Sequence, residues 1–471
     1  RKGKERKGKE RKGKKRKGKE REEKEGKGKE RNEMERNGTE RNGTKQKGKE
    51  KKGTERNDGE IDLTLYMDDL SFVVAGDKAS EVVERTNCRL AGIRKWSMQN
   101  GMAFPFEKFH VLNIGRKKLP GKWKSLVRYG EDPPPWSLKA KFLGVLIDHH
   151  VTLRPFMEVV AVKVEKVLPY MFNTANFRTG SSPKVLNRIF QYYIFPQFLY
   201  GCPLWIFGLR EVFRYDQPLV WGYGKAWCRL RSLYRKCARM VLGVHPKTSG
   251  QAVLVRLGWL PLDYLLALHG LKFYLKVYHG RWDAVEVRRR LFAALGSEST
   301  DGHVVFFRRA REFLSHLGEL SGSDMFSESV LSDDSVLRHA LFLDLDRCWK
   351  TYQGAEVTRE IHPDWTSRVI SLDVSSRYGS SLVHGAACGY SMLRDRLHDI
   401  GRIGSDCCRR GCGVSETLEH VLLDCQYYSR QRTRLVEMCG RRGLVFSVRT
   451  ILVHPEARSL AEEFFLAIVH E

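Results

Sequence analysis

The pattern of apolar and polar positions predicts a mixed strand and helix segment followed by a long helical one. The stretch "LTLYMDDLSFVVAG", residues 63–76, has two short apolar runs on either side of paired aspartates, which is typical of a β-hairpin. Apolar side chains at helical spacing over residues 82–96 predict a helix that ends at Asn100. The segments 102–115 and 141–148 have the composition of strands.

Beyond residue 150 the pattern becomes mainly helical. The segments 156–172 and 225–243 have apolar positions at helical spacing, and the last thirty residues predict a terminal helix. Residues 320–336 are rich in Ser and Asp and predict a loop or linker. The fold class that follows is α+β.

One uncharged run, residues 189–209, is long enough to span a membrane. Pro196, Gly201 and Pro203 interrupt it, and its two glutamines would lack hydrogen-bond partners in lipid. We therefore predict a buried helix and turn, and no membrane partner.

The first 59 residues repeat a pattern close to "RKGKE" every five residues. Met34 is the only clearly apolar side chain before Ile61, and the first sixty residues carry 26 Lys and Arg against 14 Asp and Glu. Such a segment cannot bury enough apolar surface to fold, so we predict a disordered tail. It either attracts nucleic acid or is the translation of a purine-rich simple repeat.

The whole chain has a formal net charge of +27, and the part after the repeat is also basic. This charge makes acidic partners the expectation, with nucleic acid first among them. The eleven cysteines and the lack of a signal-peptide pattern indicate an intracellular protein of the nucleus or cytoplasm, not a secreted one. The oligomeric state does not follow from the sequence.

The predicted helix at 225–243 is the most basic of the helical segments. It is either a face that follows a phosphate backbone or an ordinary solvated basic face. Its cations are Lys225, Arg229, Arg231, Arg235, Lys236 and Arg239.

The paired carboxylates Asp68 and Asp69 are the first candidate for chemistry. Two adjacent carboxylates repel each other unless a cation lies between them, and Mg²⁺ is the cation of nucleotidyl transfer. In a two-metal site the ions activate the attacking hydroxyl and stabilise the leaving group.

Tyr66-Met67-Asp68-Asp69 resembles the catalytic hairpin motif of reverse transcriptases. The segments that follow are similar, in the same order, to the palm, primer grip, thumb and connector of non-LTR retrotransposon polymerases, and they cover most of residues 61–262. In the next palm segment the matching residues are Leu90, Trp96, Asn100, Phe104 and Lys108, and in the primer-grip strand pair they are Lys141, Phe142, Leu143 and Gly144.

The resemblance implies a magnesium-dependent polymerase that uses an RNA template and a DNA primer. It makes Asp68 and Asp69 the Mg²⁺ ligands, and it places the substrate and primer near Tyr66, Met67, Lys108, Lys141, Phe142, Leu143 and Gly144. It also implies six regions: a basic repeat at 1–59, a partial palm at 60–150, a thumb-like helical region at 151–245, a helical connector at 246–400, a zinc-binding motif at 401–440 and a C-terminal helix at 441–471.

The family has a further metal-binding aspartate on an earlier palm strand, and no residue of this sequence matches it. Asp62 lies on the first strand of the predicted hairpin and fits no family motif. We therefore expect the chain to be inactive as a polymerase by itself. The alternative function is nucleic-acid binding without catalysis.

A second constellation begins at Cys407 in "CCRRGCGVSETLEHVLLDCQYYSRQR". Cys408, Cys412, His420 and Cys425 make a plausible tetrahedral Zn²⁺ site, and the alternative is a helix with unligated buried thiols. The segment is similar to the Cys-Cys-His-Cys motif of non-LTR retrotransposons. The family usually has two residues between the first two cysteines, so Cys407 stays open as the first ligand instead of Cys408.

Overall fold

The computed structural model describes residues 63–66, 69–114, 119–150, 153–176, 178–205, 225–281, 302–365, 372 and 376–470. The prediction of a disordered basic repeat falls outside these residues. The described part is mostly helical with a few short strands, which is compatible with the predicted α+β class.

The strands form three two-stranded sheets in the described part of the chain: β1 with β2, β3 with β4 in parallel, and β5 with β6 antiparallel. Their bounds are β1 Leu63–Tyr66, β2 Asp69–Phe72, β3 Val111–Leu112, β4 Trp136–Ser137, β5 Lys139–Phe142 and β6 Val145–Asp148.

The α-helices up to residue 278 are α1 Ala79–Gln99, α2 Gly121–Lys124, α3 Arg154–Thr174, α4 Pro183–Ile189, α5 Phe195–Leu199, α6 Cys202–Trp205, α7 Lys225–Leu242, α8 Gly250–Leu257 and α9 Leu262–Tyr278. The later ones are α10 Gly302–Ser321, α11 Ser329–Ser332, α12 Ser335–Lys350, α13 Glu356–Ile361, α14 Arg377–Ala387, α15 Arg394–Asp399, α16 Ser429–Arg441, α17 Val448–Val453 and α18 Arg458–His470. Two π-helical turns, Phe190–Ile194 and His420–Asp424, complete the helical segments used below.

Helix α1 ends where the sequence predicts. The Asn100 amide donates to Trp96 O, and Gly101 takes a φ of +62° that a side chain would oppose. Val83 and Leu90 of α1 pack with Val127 in a small cluster of buried side chains.

The main core runs from Val145 to Cys388 and contains the apolar faces of α3, α7, α8, α9, α10 and α12. On α3, Phe156, Val160 and Val164 are fully buried and repeat every four residues, which is the helical spacing the sequence shows. The region boundaries proposed from the sequence stay predictions.

Two local expectations hold only in part. The described residues 102–114 contribute the two-residue strand β3, because Pro105 starts a 3₁₀ turn at Phe106–Lys108 instead of extending the strand. Residues 320–336 contain the expected loop at 322–328, but α11 and the start of α12 also lie within them, and Met325 and Val330 are buried in the main core.

Within the described residues, no single helix has the length and apolar composition to cross a membrane, and only the bent pair α8 and α9 passes that test jointly. Most side chains of both helices are buried in the main core.

A second core, between Ile361 and Ile468, unites α14, α16, α17 and α18. The guanidinium of Arg256, on α8, joins this core to the main one and is 2 % exposed. It donates to His384 Nδ1 at 3.2 Å and to Leu452 O at 2.6 Å, and it lies 3.0 Å from His362 Nε2.

Replacing Arg256 by Met should lower the free energy of unfolding by about 3 kcal/mol or more, because Leu452 O, His384 Nδ1 and His362 Nε2 would each lose a hydrogen-bond partner in a buried place. Urea unfolding of the full chain measures this. The exposed Arg430 replaced by Met is the control, with an expected change within about 0.5 kcal/mol. Equal effects of the two substitutions would contradict the role given to Arg256.

The stability should also depend on pH through His362. Burial, together with the Arg256 and Arg449 cations, lowers the pKa of His362 to about 3. The folded chain therefore keeps this imidazole neutral, whereas the unfolded chain takes up a proton near pH 6.5. The contribution of the neutral His362 to the free energy of unfolding is complete above pH 6.5 and is lost as the pH falls from 6.5 toward 3.

We expect a loss of about 2 kcal/mol from His362 between pH 6.5 and pH 5. Urea unfolding at both pH values should show a smaller loss for His362→Gln than for the unchanged chain. His398→Gln, at an exposed position, is the matched control for the loss of an imidazole. Parallel pH dependence in all three proteins would exclude His362 as the source.

Candidate functional site

The four residues predicted to bind Zn²⁺ are brought together. Cys408, Cys412, His420 and Cys425 each offer one ligand atom, and these atoms all lie within 4.8 Å of one another. The Cys412 and Cys425 sulfurs are 3.6 Å apart. A tetrahedral ion with metal–sulfur bonds of about 2.3 Å would hold two thiolates about 3.8 Å apart, so the spacing suits such an ion.

Cys408, and not Cys407, is the member of this cluster. Cys407 pairs with Ser415 in a β-bridge, and consecutive side chains in extended backbone point to opposite sides. Cys407 is therefore exposed, whereas Cys408 is 5 % exposed and belongs to the second core. The alternative that the sequence left open is decided by the direction of these two side chains.

We name residues 407–425 the knuckle. Its first turn closes through the Gly411 amide, which donates to Cys408 O at 3.0 Å, and the Cys408 amide donates to Val414 O at 2.7 Å. Gly411 and Gly413 have φ values of +76° and +71°, which glycine adopts without the strain of a side chain. The two glycines on either side of Cys412 thus permit the tight turn that carries the first pair of cysteines.

The second pair of ligands lies on a helical turn. His420 begins the π-helical turn His420–Asp424, and Cys425 follows directly after it. The Cys425 amide donates to His420 O at 2.7 Å, and the Arg432 guanidinium donates to Cys425 O at 2.7 Å and Leu422 O at 2.9 Å. Arg432 thus satisfies carbonyls at the end of this turn.

The unpartnered ring nitrogen of His420 suits a cation at the centre of the cluster, whereas the thiol of Cys412 stays protonated without one. His420 Nε2 is buried and has no hydrogen-bond partner among the described residues. The hydrogen bond with Cys425, followed by burial and the nearby Cys408, raises the pKa of Cys412 to about 12. A bound metal reverses this preference, since it deprotonates a coordinating thiol and accepts the imidazole lone pair.

A buried ion pair that the sequence did not reveal holds the knuckle in place. Glu416 is 1 % exposed and accepts hydrogen bonds from the Arg409 amide and guanidinium and from the Arg394 amide. Burial opposes the charge of Glu416, but the Arg409 hydrogen bonds outweigh it and keep the pKa of the carboxyl below its usual value. Glu416 lies in the "ETLEH" phrase, but neither spacing nor composition marks it as a structural anchor.

The residues around the aspartate pair are only partly described. Met67 and Asp68 lie outside the described residues, and Tyr66 and Asp69 are described by their backbone alone, at the end of β1 and the start of β2. Lys108 is exposed at the end of the 3₁₀ turn. The role of these residues in catalysis stays a prediction.

The predicted primer-grip residues form one β-hairpin. Lys141 and Phe142 end β5, and the two-residue turn Leu143-Gly144 leads into β6. Both turn residues have positive φ, at +46° and +81°, as a tight hairpin of this kind requires. The Tyr200 hydroxyl donates to Leu143 O, and a Cβ at Gly144 would come within 2.9 Å of that hydroxyl. Tyr200 therefore fixes the turn.

Several cations of the basic helix α7 have partners within the protein. Arg229 donates to Glu158 and Glu165 of α3 at 2.7 and 2.8 Å, and Arg231 lies 3.7 Å from Asp263. Arg239 donates to Thr248 O at 2.8 Å. The Arg235 side chain lies against Gly250, and its burial lowers its pKa. Lys225 and Lys236 are the exposed cations of this helix.

Metal binding should distinguish the two adjacent thiols of the knuckle. Cys408→Ser should remove most of the bound metal, whereas Cys407→Ser should leave the full amount, because only the first removes a ligand atom from the cluster. Metal analysis of the purified proteins, together with the absorption of the Co²⁺-loaded forms, measures this. Equal metal content in the two variants would contradict the assignment of Cys408.

No protein-family model, curated protein or solved structure matches this chain. The resemblance to reverse transcriptases therefore stays a prediction from the residues that carry it.

Proposed function

We propose that this chain is a nucleic-acid-binding protein, derived from a non-LTR retrotransposon reverse transcriptase, and that a Zn²⁺ ion stabilises its knuckle. Three thiolates and one imidazole are a preferred ligand set for structural Zn²⁺, and a closed set of four protein ligands leaves no position for a substrate. The ion would have a structural role, which is to hold the two halves of the knuckle together.

The observation that carries nucleic-acid binding is a stacked pair next to these ligands. The Arg410 guanidinium lies 3.9 Å from the centre of the Tyr427 ring, and that ring is 52 % exposed. Arg410 precedes Cys412 by two positions and Tyr427 follows Cys425 by two, so both residues flank the cluster in sequence. A cation beside an exposed aromatic ring suits a phosphate and an unpaired base of a single strand.

Arg410 has a second contact that positions it. Its guanidinium donates to the Tyr428 hydroxyl at 3.3 Å. Two further cations, Arg402 and Arg430, are exposed in the same stretch of sequence. Tyr428 is buried in the second core, so its hydroxyl fixes the position of Arg410 in addition to the Tyr427 ring. A positioned guanidinium loses less conformational entropy on binding than a freely rotating one.

Polymerisation by this chain alone is the weaker candidate. The ancestral reaction would use Asp68 and Asp69 as Mg²⁺ ligands, with Tyr66 and Met67 in the same hairpin. It requires a further carboxylate that the resemblance assigns to no residue of this sequence. The pairing of β1 with β2 agrees with a hairpin at this place and supplies no catalytic geometry.

Binding of a labelled 20-nucleotide single strand tests the proposal. Replacing Arg410 by Gln together with Tyr427 by Ala should weaken binding about ten-fold, because it removes one charge-assisted contact and one stacking contact. Lys166→Gln, at an exposed position of α3, should have little effect. Cys412→Ser with His420→Ala should lower both Zn²⁺ content and affinity.

The affinity should also fall steeply as salt increases, and removal of residues 1–60 should make that slope shallower, since those residues carry many cations. Affinity that does not change with salt would exclude the basic surface as the source of binding. A full Zn²⁺ content in the Cys412→Ser, His420→Ala protein would exclude the knuckle as the metal site.

A further inference from the structure

A cleft between α1 and the turn that follows α2 has no role in the proposal above. Its volume is about 750 Å³. Its wall on α1 includes Asn87, Arg94, Lys95 and Met98, and its opposite wall is formed by Arg128 and Gly130. We name it the α1 cleft.

The residues on α1 belong to one helical face. Asn87, Ala91, Arg94, Lys95 and Met98 follow one another at intervals of four, three, one and three residues, so they form a stripe on one side of the helix. Within this stripe the cations lie next to the small Ala91 and the largely exposed Met98. The wall thus combines charge with an apolar surface.

Asn87 holds the opposite wall in place. Its Nδ2 donates to Leu126 O at 2.8 Å, and its Oδ1 accepts from the Arg128 amide at 2.9 Å. One side-chain amide therefore binds the backbone on both sides of Val127, which is itself 1 % exposed. The turn that carries Arg128 cannot shift along the helix without breaking these bonds, so the cleft is preformed.

Gly130 is needed for the position of Arg94. It has a φ of +71°, and a Cβ at this place would lie 2.5 Å from Arg94 Nη1 and 2.7 Å from Arg94 Cζ. The guanidinium lies directly against the glycine backbone. Any other residue at position 130 would displace it.

The lining of the cleft contains the cations Arg94, Lys95 and Arg128 and no carboxylate. Among the described residues, neither Arg94 nor Lys95 has an ion-pair partner, and the contact of the Arg128 guanidinium is a 3.3 Å hydrogen bond to Glu131 O. Like charges from separate elements oppose one another, and an anion between them removes that cost. The guanidinium groups are suited to bind phosphate oxygens in pairs.

We infer that the α1 cleft binds the phosphate groups of a nucleotide or of a nucleic-acid strand, with Met98 and Ala91 against the sugar or base. The volume lies in the usual range of small-molecule sites. The cleft includes no residue of the aspartate hairpin, of the primer-grip segment or of the knuckle, so it is a second site. For a nucleic-acid strand the inference rests on the proposed function, whereas binding of a free nucleotide would go beyond it.

Isothermal titration of the full chain with ATP, and separately with a 20-nucleotide oligothymidylate, tests the inference. Replacing both Arg94 and Arg128 by Gln should weaken binding about ten-fold or more, because two charge-assisted contacts are lost. The control removes two charges elsewhere, by Lys166→Gln with Lys276→Gln at exposed positions of α3 and α9, and should keep the affinity.

A second pair of variants changes the shape of the cleft without changing its charge. Gly130→Ala should weaken binding, because its Cβ displaces Arg94. Gly101→Ala is the matched control: Gly101 also has a positive φ, at +62°, but a Cβ there would meet no atom within 4 Å. The two substitutions share the backbone strain and differ only in the displaced guanidinium.

The outcomes separate the two sources of phosphate. Weaker binding of both probes by the double Arg variant and by Gly130→Ala supports a phosphate site open to free nucleotides, and weaker binding of oligothymidylate alone supports a nucleic-acid backbone. Unchanged affinity for both probes overturns the inference. The Cys412→Ser, His420→Ala protein should keep the affinity for ATP, so failure at the knuckle and failure at the cleft are distinguishable.

Discussion

The constraint on which the C-terminal half of the structure depends is the burial of the Arg256 charge. A guanidinium removed from water must give its hydrogen bonds to acceptors in fixed places, and Arg256 finds them on three separate segments, at His362, His384 and Leu452. These segments belong to or border the second core, whereas Arg256 belongs to α8. Arg377 makes a similar connection in the opposite direction, because its guanidinium donates to the carbonyls of Met240 and Val241 at the end of α7.

This use of arginine changes how the basic character of the chain should be interpreted. A net charge of +27 suggests a surface for polyanions, but several of the arginines are partners of the protein's own carboxylates and carbonyls. Arg229 on α7 is the clearest example, since it binds two glutamates of α3 and thereby fastens the two helices together. Among the described residues, the α1 cleft and the stack of Arg410 on Tyr427 are two places where arginines are available for a ligand.

The cluster of three cysteines and His420 depends on the same tertiary packing. Cys408 and Cys425 are members of the second core, and Glu416 connects the knuckle to the start of α15 through the Arg394 amide. The spacing of the cysteines and the histidine was sufficient to predict a cluster that could hold a metal ion, because residues four to eight positions apart can meet across one turn and one short helix. Spacing could not decide between Cys407 and Cys408. The two residues are adjacent, so their distances in sequence to Cys412 differ by only one position, and only the direction of their side chains tells them apart.

The sequence by itself determined the elements whose stabilising contacts are local. Apolar spacing placed α1, α3 and α7, and the Asn100-Gly101 pair placed the end of α1, because helix formation depends on residues three or four positions apart. Tertiary structure decided what those elements do. It assigned the cations of α7 to partners as distant in the chain as Glu158, and it brought Arg128 and Gly130 against α1. The physical reason is that charge neutralisation and side-chain direction depend on neighbours in space, which no local pattern of residues specifies.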